Sequence, residues 1–233
     1  MKGSAISRKE TKTYFDRFAR EYGHCSKNTG SKALNQSIRN SFIDTYRGLA
    51  SQTVLEVGCG NGILLKQLEN LNKPDVQLVG LDYAFQMVNE TKKLLKLPAS
   101  TLVLQADGSD LPFDSNFFDI AMMCNVTLNI DQPFLEQIFI EIFRVLKPHG
   151  FFLVEFKNRH NPLVFLRTRL LRGGKTVRDF TKTNFLNTLD RIGFQLIQIK
   201  PVWRWLGCWI PGLAAVFFIH SRKPIPLEHY SVR

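Results

Sequence analysis

Val54-Leu55-Glu56-Val57-Gly58-Cys59-Gly60-Asn61-Gly62 runs from a short β-favouring stretch through three glycines at alternate positions into Ile63 to Leu71, which has the composition of a helix. Thr53 to Val57 alternate little between apolar and polar, the pattern of a strand buried on both faces of a parallel sheet. Glycines at every second position let the backbone take positive φ and approach a ligand closely. The stretch reads as a strand, a nucleotide-binding turn and a helix. A Gly-x-Gly-x-Gly string alone is a loose signal that an ordinary tight turn shares, and the residues downstream separate the two.

About 20 residues beyond the glycines, Gln77-Leu78-Val79-Gly80-Leu81 ends in Asp82, where a second parallel strand would finish beside the first. A carboxylate there can accept both hydroxyls of a ribose, although Asp is also a favoured helix N-cap. After a helical stretch from Phe85 to Leu97, Thr101-Leu102-Val103-Leu104-Gln105 leads into Ala106-Asp107-Gly108, and Leu111-Pro112-Phe113-Asp114 precedes a fourth strand, Phe117 to Met123. A helix ending through Arg144-Val145-Leu146-Lys147-Pro148-His149-Gly150 precedes a fifth, Phe151 to Phe156. Two further strand-like runs, Phe194 to Ile199 and Leu213 to Ile219, close the chain.

In this order, VLEVGCGNG, the strand-end Asp82, the AD of Ala106-Asp107 with the LPFD that follows, FFDIAMM and IFRVLKPHGFFLVEF resemble the class I S-adenosylmethionine-dependent methyltransferases, specifically the ubiquinone and menaquinone biosynthesis group. The resemblance covers roughly residues 12 to 157, with Phe15 to Tyr22 similar to an amino-terminal FDxxAxxY signature. A NAD-binding Rossmann domain is the nearest rival, but its fingerprint is G-x-G-x-x-G and the spacing here is G-x-G-x-G. The resemblance implies S-adenosylmethionine as cofactor. Gly58 and Gly60, with Cys59 between them, would let the turn approach the methionine part, and Gly62 would open the helix. Glu56 would organise the turn and the ammonium group. Asp82, followed by Tyr83, would hold the ribose diol, and Asp107, flanked by Ala106 and Gly108, would accept from the adenine amino group. Asp107-Gly108 is also a common turn dipeptide. Asn125 and Thr127, after the fourth strand, would line the channel between donor and acceptor. Cys124 lies beside them without the Pro-Cys motif of pyrimidine methylation through a covalent adduct, so a small buried hydrophobe is the expected role. No N-P-P-[YF] string follows, which leaves amino-group methylation of a base by that arrangement unsupported.

The chain has 233 residues and 44% hydrophobic content, which suits one core with one elaboration. Cys25, Cys59, Cys124 and Cys208 are scattered without C-x-x-C spacing and read as reduced thiols with no metal site. Met1-Lys2-Gly3-Ser4 leads into polar residues, so no secretory signal is expected. The longest uncharged run, Trp205 to Ile219, has 15 residues and is broken by Gly207, Pro211 and Gly212, short of the about 20 that span a bilayer.

The net charge of +11 divides unevenly, as +6 over residues 1 to 50, −6 over 51 to 156 and +11 over 157 to 233. An acidic centre thus lies between basic flanks, which in the resembled family build the substrate side. Between Lys157 and Arg178 seven basic residues occur with no acidic one, and Leu163, Leu166 and Leu170 recur at helical spacing among Arg167, Arg169 and Arg172. This predicts a short basic amphipathic helix that can rest on an anionic membrane, bind phosphates or simply pack as a lid. Trp203, Trp205 and Trp209 flank Arg204, a composition suited to a bilayer interface, a hydrophobic acceptor pocket or base stacking. His24 and His160 are the imidazoles near the site in sequence, and no catalytic base is assigned to either.

The expectation is therefore a doubly wound α/β domain, residues 51–233, with seven mostly parallel strands and the last antiparallel. A helical cap at 1–50 precedes it, and a basic lid-like insertion falls at about 157–180. The expected activity is methyl transfer to a small apolar or amphiphilic acceptor, quinone-like or lipid-like, with tRNA or rRNA methylation as the alternative. The expected place is the cytoplasm, with peripheral contact at the inner face of an anionic membrane.

Overall fold

The structure, a computed structural model, describes Thr13, Asp16 and residues 29–96, 98–127, 130, 132–158, 161, 181–202 and 214–225. Seven strands, β1 (Thr53–Val57), β2 (Gln77–Asp82), β3 (Thr101–Gln105), β4 (Phe118–Met123), β5 (Leu146–Lys157), β6 (Gln195–Pro201) and β7 (Val216–Arg222), form one sheet in the order β3-β2-β1-β4-β5-β7-β6. β1 to β5 pair parallel, whereas β7 is antiparallel to both β5 and β6. The doubly wound sheet with an antiparallel last strand is as the sequence predicts.

Period-two burial places alternate residues on opposite faces. Val54, Leu78, Ile120 and Leu153 face helices α1 (Thr29–Arg47), α2 (Ile63–Glu69) and α3 (Phe85–Leu94). Leu55, Val79, Ala121 and Phe152 face α4 (Gln132–Val145) and α5 (Lys182–Ile192). Both faces of the central strands are covered, which is why they read as apolar runs. On α1, Ile38, Phe42, Ile43 and Tyr46 fall on one buried face and join the sheet's own core. On α4, Leu135, Ile138, Phe139, Ile142 and Val145 do the same on the opposite side, and the Phe139 ring meets those of Phe152 and Phe185 edge-on, with centroids 5.2 and 5.6 Å away.

One boundary differs from expectation. Leu146 to Gly150 belong to β5 and not to the preceding helix. Leu146 already pairs with Phe118, and the register shifts before Ile120 pairs with Phe151, so Pro148 and His149 (φ 64°) fall at an irregularity, where a strand tolerates Pro. The strand start is tied down by Asp119, whose carboxylate accepts from the Gln52 and Thr53 amides and from Lys147 Nζ, at 2.8–2.9 Å. The aspartate of FFDIAMM thus clamps the amino ends of β1, β4 and β5, away from the glycine turn.

Of the amino-terminal signature only Asp16 lies among the described residues. The basic run beyond Lys157, apart from Asn158 and Asn161, the Trp203 to Trp209 cluster, His24, His160, Cys25 and Cys208 lie outside them.

Candidate donor-binding site

The strand order reverses between β1 and β4, and the loops after the carboxyl ends of these strands flank a crevice, the usual ligand position in an open α/β sheet. The glycine turn follows β1 and Cys124-Asn125 follows β4.

All three glycines of the turn are left-handed, with φ of 75° at Gly58, 56° at Gly60 and 77° at Gly62. Their surroundings differ. A Cβ at Gly58 would stand 2.5 Å from Val126 Cγ2, and one at Gly62 would stand 2.6 Å from Thr91 Cγ2. At Gly60 a Cβ would meet no protein atom within 4 Å. Gly58 and Gly62 therefore serve packing, and Gly60 presents a bare backbone to open space. Cys59 turns its side chain inward, where burial and then the nearby Glu56 and Asp82 push its thiol well above the usual range. It contributes backbone to the site and its sulfur to the core.

Two neighbours hold this turn. Asp82 accepts the Gly60 amide on one oxygen and the Ala84 amide on the other, both at 2.9 Å. Burial raises its pKa, and the two amides partly offset the rise. The N-cap of α3 is Ala84, with no side-chain cap, so Asp82 is not the helix cap that sequence allowed; its carboxylate closes a turn on the Ala84 amide and touches the glycine turn. Thr91, fully buried on α3, donates its hydroxyl to the Gly60 carbonyl at 2.6 Å. Sequence reading passed over Thr91, because a mid-helix threonine carries no local signal of a partner 31 residues earlier. Asp16 of the amino-terminal signature accepts the Gln86 amide at 3.1 Å in the first turn of α3, and its charge raises the pKa of Asp82.

Glu56, next to last in β1, is almost wholly buried, with Oε2 lacking any hydrogen-bond partner. Burial, followed by the charge of Asp82, raises its pKa well above the ordinary carboxylate value. An orphaned buried acceptor is costly and marks a place for a donor or cation.

The other candidates are placed as follows. Asp107 Oδ1 accepts from both the amide and the hydroxyl of Ser109, at 2.9 and 2.8 Å, the turn geometry of its dipeptide. Gly108 is buried, and a Cβ there would come within 3.0 Å of Val57 Cγ1, so its small size brings the β3 exit against β1. The Ala106 amide donates to the Asp82 carbonyl, and Tyr83 is exposed beside Asp82. Asn125 has φ 61°, and its amide donates to both carboxylate oxygens of Glu155, at 2.9 and 3.0 Å. Thr127 is fully buried and donates its hydroxyl to the Glu155 carbonyl, so it braces β5 and does not line the crevice. Burial and then Glu155 and Glu56 push the Cys124 thiol well up, and its side chain is half-buried.

Glu155 is a second buried acid, one that sequence reading missed, inside an apolar run that looked like plain strand. Burial raises its pKa to about 8, against the restraint of the Asn125 amide and the charge of Lys157. A folded-state value above the unfolded one means that the protonated acid contributes stability in full below about 4.5 and loses it as pH rises towards about 8. Glu155→Gln keeps the shape and removes the titration. Between pH 5 and 9 the melting temperature of this variant, relative to wild type, is expected to rise by several degrees, at about 2–4 °C per kcal/mol for a chain of this size. Parallel melting curves across that range would show that Glu155 is not the source.

A doubly wound sheet carrying a glycine turn at its switch point, a buried acid before that turn and a second acid after β2 is the architecture of the Rossmann-like methyltransferase fold. Residues 55–154 match the family model described as methyltransferase domain. It is 26% identical over 170 residues to 24-methylenesterol C-methyltransferase 2 of Arabidopsis thaliana, covering 69% of this chain and 46% of that protein. It is 27% identical over 165 residues to demethylmenaquinone methyltransferase of Lactobacillus johnsonii, covering 69% of this chain and 66% of the relative. The chain thus spans between about half and two thirds of the length of these relatives. A SAM-dependent methyltransferase of Thermotoga maritima superposes with a TM-score of 0.65 at 20% identity, covering 91% of this chain and 99% of that one.

The Thermotoga maritima structure is named as SAM-dependent, and the residues present here fit S-adenosylmethionine. The unfilled side of Gly60 admits the ligand against bare backbone, the orphaned Glu56 Oε2 suits an ammonium, and the acids Glu56 and Asp82 suit a cationic ligand. Among the described residues no cluster of His, Cys, Asp or Glu could hold a metal, and no helix is long and apolar enough to cross a membrane.

Proposed function

We propose that this chain transfers the methyl group of S-adenosylmethionine to a small apolar or amphiphilic acceptor, quinone-like or lipid-like, met at the face of an anionic membrane. The observation that carries the donor half is the open flank of Gly60 set between the unpartnered Glu56 Oε2 and the Asp82 carboxylate. Glu56 accepts the ammonium, Asp82 accepts the ribose hydroxyls while holding Gly60 in place, and Asp107 with Ala106, Gly108 and Tyr83 borders the adenine. Asn125, held by Glu155, borders the methyl-transfer path. When bound, the cofactor supplies a sulfonium-activated methyl for in-line displacement, and the chain contributes alignment and exclusion of water.

For the acceptor half, support comes from the relatives named for a sterol and a demethylmenaquinone, and from the charge pattern. The domain centre carries −6, which disfavours a polyanion entering the crevice, while the segment from residue 157 onward carries +11 and holds all three tryptophans. In this reading residues 1–50 cap the domain, the 157–180 segment covers the acceptor side, and the protein is cytoplasmic with peripheral membrane contact. Methylation of tRNA or rRNA is the second reading, favoured by the net charge of +11.

Transfer of radiolabelled methyl into a cell extract, followed by separation of lipid, RNA, protein and small-molecule pools, tests the acceptor class, with label expected in the lipid pool. The membrane component has its own check. The protein is expected to sediment with anionic vesicles and much less with neutral ones, since each Lys or Arg contributes about 1 kcal/mol at such a surface. Changing Arg167, Arg169 and Arg172 together to Gln is expected to release it without altering donor affinity. Indifference to vesicles together with steeply salt-dependent tRNA binding would replace the membrane reading with the RNA one.

A further inference from the structure

Thr91 lies within α3 and is fully buried. A serine or threonine hydroxyl inside a helix has the carbonyl four residues earlier within reach. Ser41 on α1 uses it, donating to the Ser37 carbonyl at 3.2 Å, and so does Thr188 on α5, donating to the Asn184 carbonyl at 3.0 Å. Thr91 departs from this habit. Its hydroxyl leaves its own helix and donates to the Gly60 carbonyl at 2.6 Å, at the short end of the range for such a bond. The single hydroxyl hydrogen is engaged there, so in the contact with Cys59 Sγ at 3.9 Å the thiol donates and Thr91 accepts. The methyl group of the same side chain stands beside Gly62, where an added Cβ would come within 2.6 Å of it.

The consequence falls on the peptide between Gly60 and Asn61. No cis bond occurs among the described residues, and a trans peptide points its N–H opposite to its C=O. A Gly60 carbonyl drawn towards α3 therefore aims the Asn61 amide away from that helix and out of the core. The other amides of the turn are engaged within the protein, those of Gly58 and Cys59 by the Leu81 carbonyl, that of Gly60 by Asp82 and that of Gly62 by the Cys59 carbonyl, at 2.8–2.9 Å. The Asn61 amide has no acceptor among the described residues. Thr91 thus fixes the tilt of the turn peptide whose donor is left open.

We propose that Thr91 is a positioning residue for the donor: without touching the ligand, its hydroxyl holds the Gly60–Asn61 peptide in the orientation that receives the amino-acid end of S-adenosylmethionine. This rests on the donor reading above and deepens it. Asp82 holds Gly60 by its amide from the end of β2, and Thr91 holds it by its carbonyl from α3. Both polar groups of the glycine at φ 56° are therefore tethered, by two elements that follow it in the chain. Loss of the Asp82 tether also disturbs the ribose, whereas loss of the Thr91 hydroxyl acts on the turn alone.

The test uses two thioethers that differ only in the amino-acid end, S-adenosylhomocysteine and 5′-methylthioadenosine, titrated calorimetrically into the full chain, and it reads the ratio of their affinities. A substitution that merely lowers the folded population weakens both ligands by one factor and leaves the ratio unchanged. Wild type is expected to prefer S-adenosylhomocysteine. Thr91→Val keeps the buried shape without the hydroxyl, and it is expected to lower the ratio about five- to tenfold, the factor of one hydrogen bond of ordinary net strength. Thr91→Ser keeps the hydroxyl without the methyl group beside Gly62, and it is expected to melt at a lower temperature with the ratio of wild type. Should the Val variant not fold, Thr91→Ala carries the same comparison. A ratio unchanged in Thr91→Val, or lowered as much in Thr91→Ser, would overturn the proposal and leave Thr91 as packing. A wild-type protein without preference between the two ligands would overturn it as well, and one that binds neither would overturn the donor reading itself.

Discussion

Gly60→Val is expected to abolish donor binding while leaving the protein folded, and the two neighbouring glycines supply the contrast. At Gly60 the backbone sits at φ 56°, which a β-branched residue adopts only at a cost of roughly 1–3 kcal/mol, yet its Cβ would point into space free of protein atoms. The steric burden therefore falls on the ligand. A loss of at least about a hundredfold in affinity is expected by calorimetry, with a melting temperature only a few degrees below wild type. Gly58→Val and Gly62→Val add the same strain to contacts of 2.5 and 2.6 Å with Val126 and Thr91, so they are expected to lower stability far more. Retained donor affinity in Gly60→Val would move the ligand away from the glycine turn.

Asp82→Ala is the second large effect, because one carboxylate performs two tasks. It would hold the ribose diol, and it holds the Gly60 and Ala84 amides. Loss of a charged acceptor is expected to cost roughly 1.5 to 3 kcal/mol of donor binding, or about tenfold to a hundredfold. The two released amides are expected to lower the melting temperature as well. Asp82→Asn is not expected to rescue, since its amide nitrogen would face one of two backbone N–H groups that both need an acceptor. Unchanged affinity in a folded Asp82→Ala variant would leave Asp82 only as the brace of the Gly60 and Ala84 amides.

Local pattern carries far in this chain. Strand β1, the glycine turn and α2 are legible from residues 53 to 71 because backbone freedom, apolar runs and helical composition are all written within one short stretch. The same holds for β2 ending at Asp82, whereas Cys124, expected as a buried small hydrophobe, is only half-buried. Strand limits are less legible. Leu146 to Gly150 look like a helix tail, and only pairing with β4 makes them strand.

The sequence by itself determined the sheet class, the glycine turn and the acid that follows β2, because each depends on residues adjacent in the chain. Only the tertiary structure decided which groups meet at the crevice. The strand order brings the ends of β1, β2, β4 and β5 together, so that Thr91 reaches the Gly60 carbonyl and Glu155 takes the Asn125 amide. It also decided that Gly58 and Gly62 are packing glycines while Gly60 faces open space, since three equal letters differ only in what stands beside them. Buried polar groups acquire meaning from their partners, and partners separated by tens of residues leave no periodic trace in a sequence.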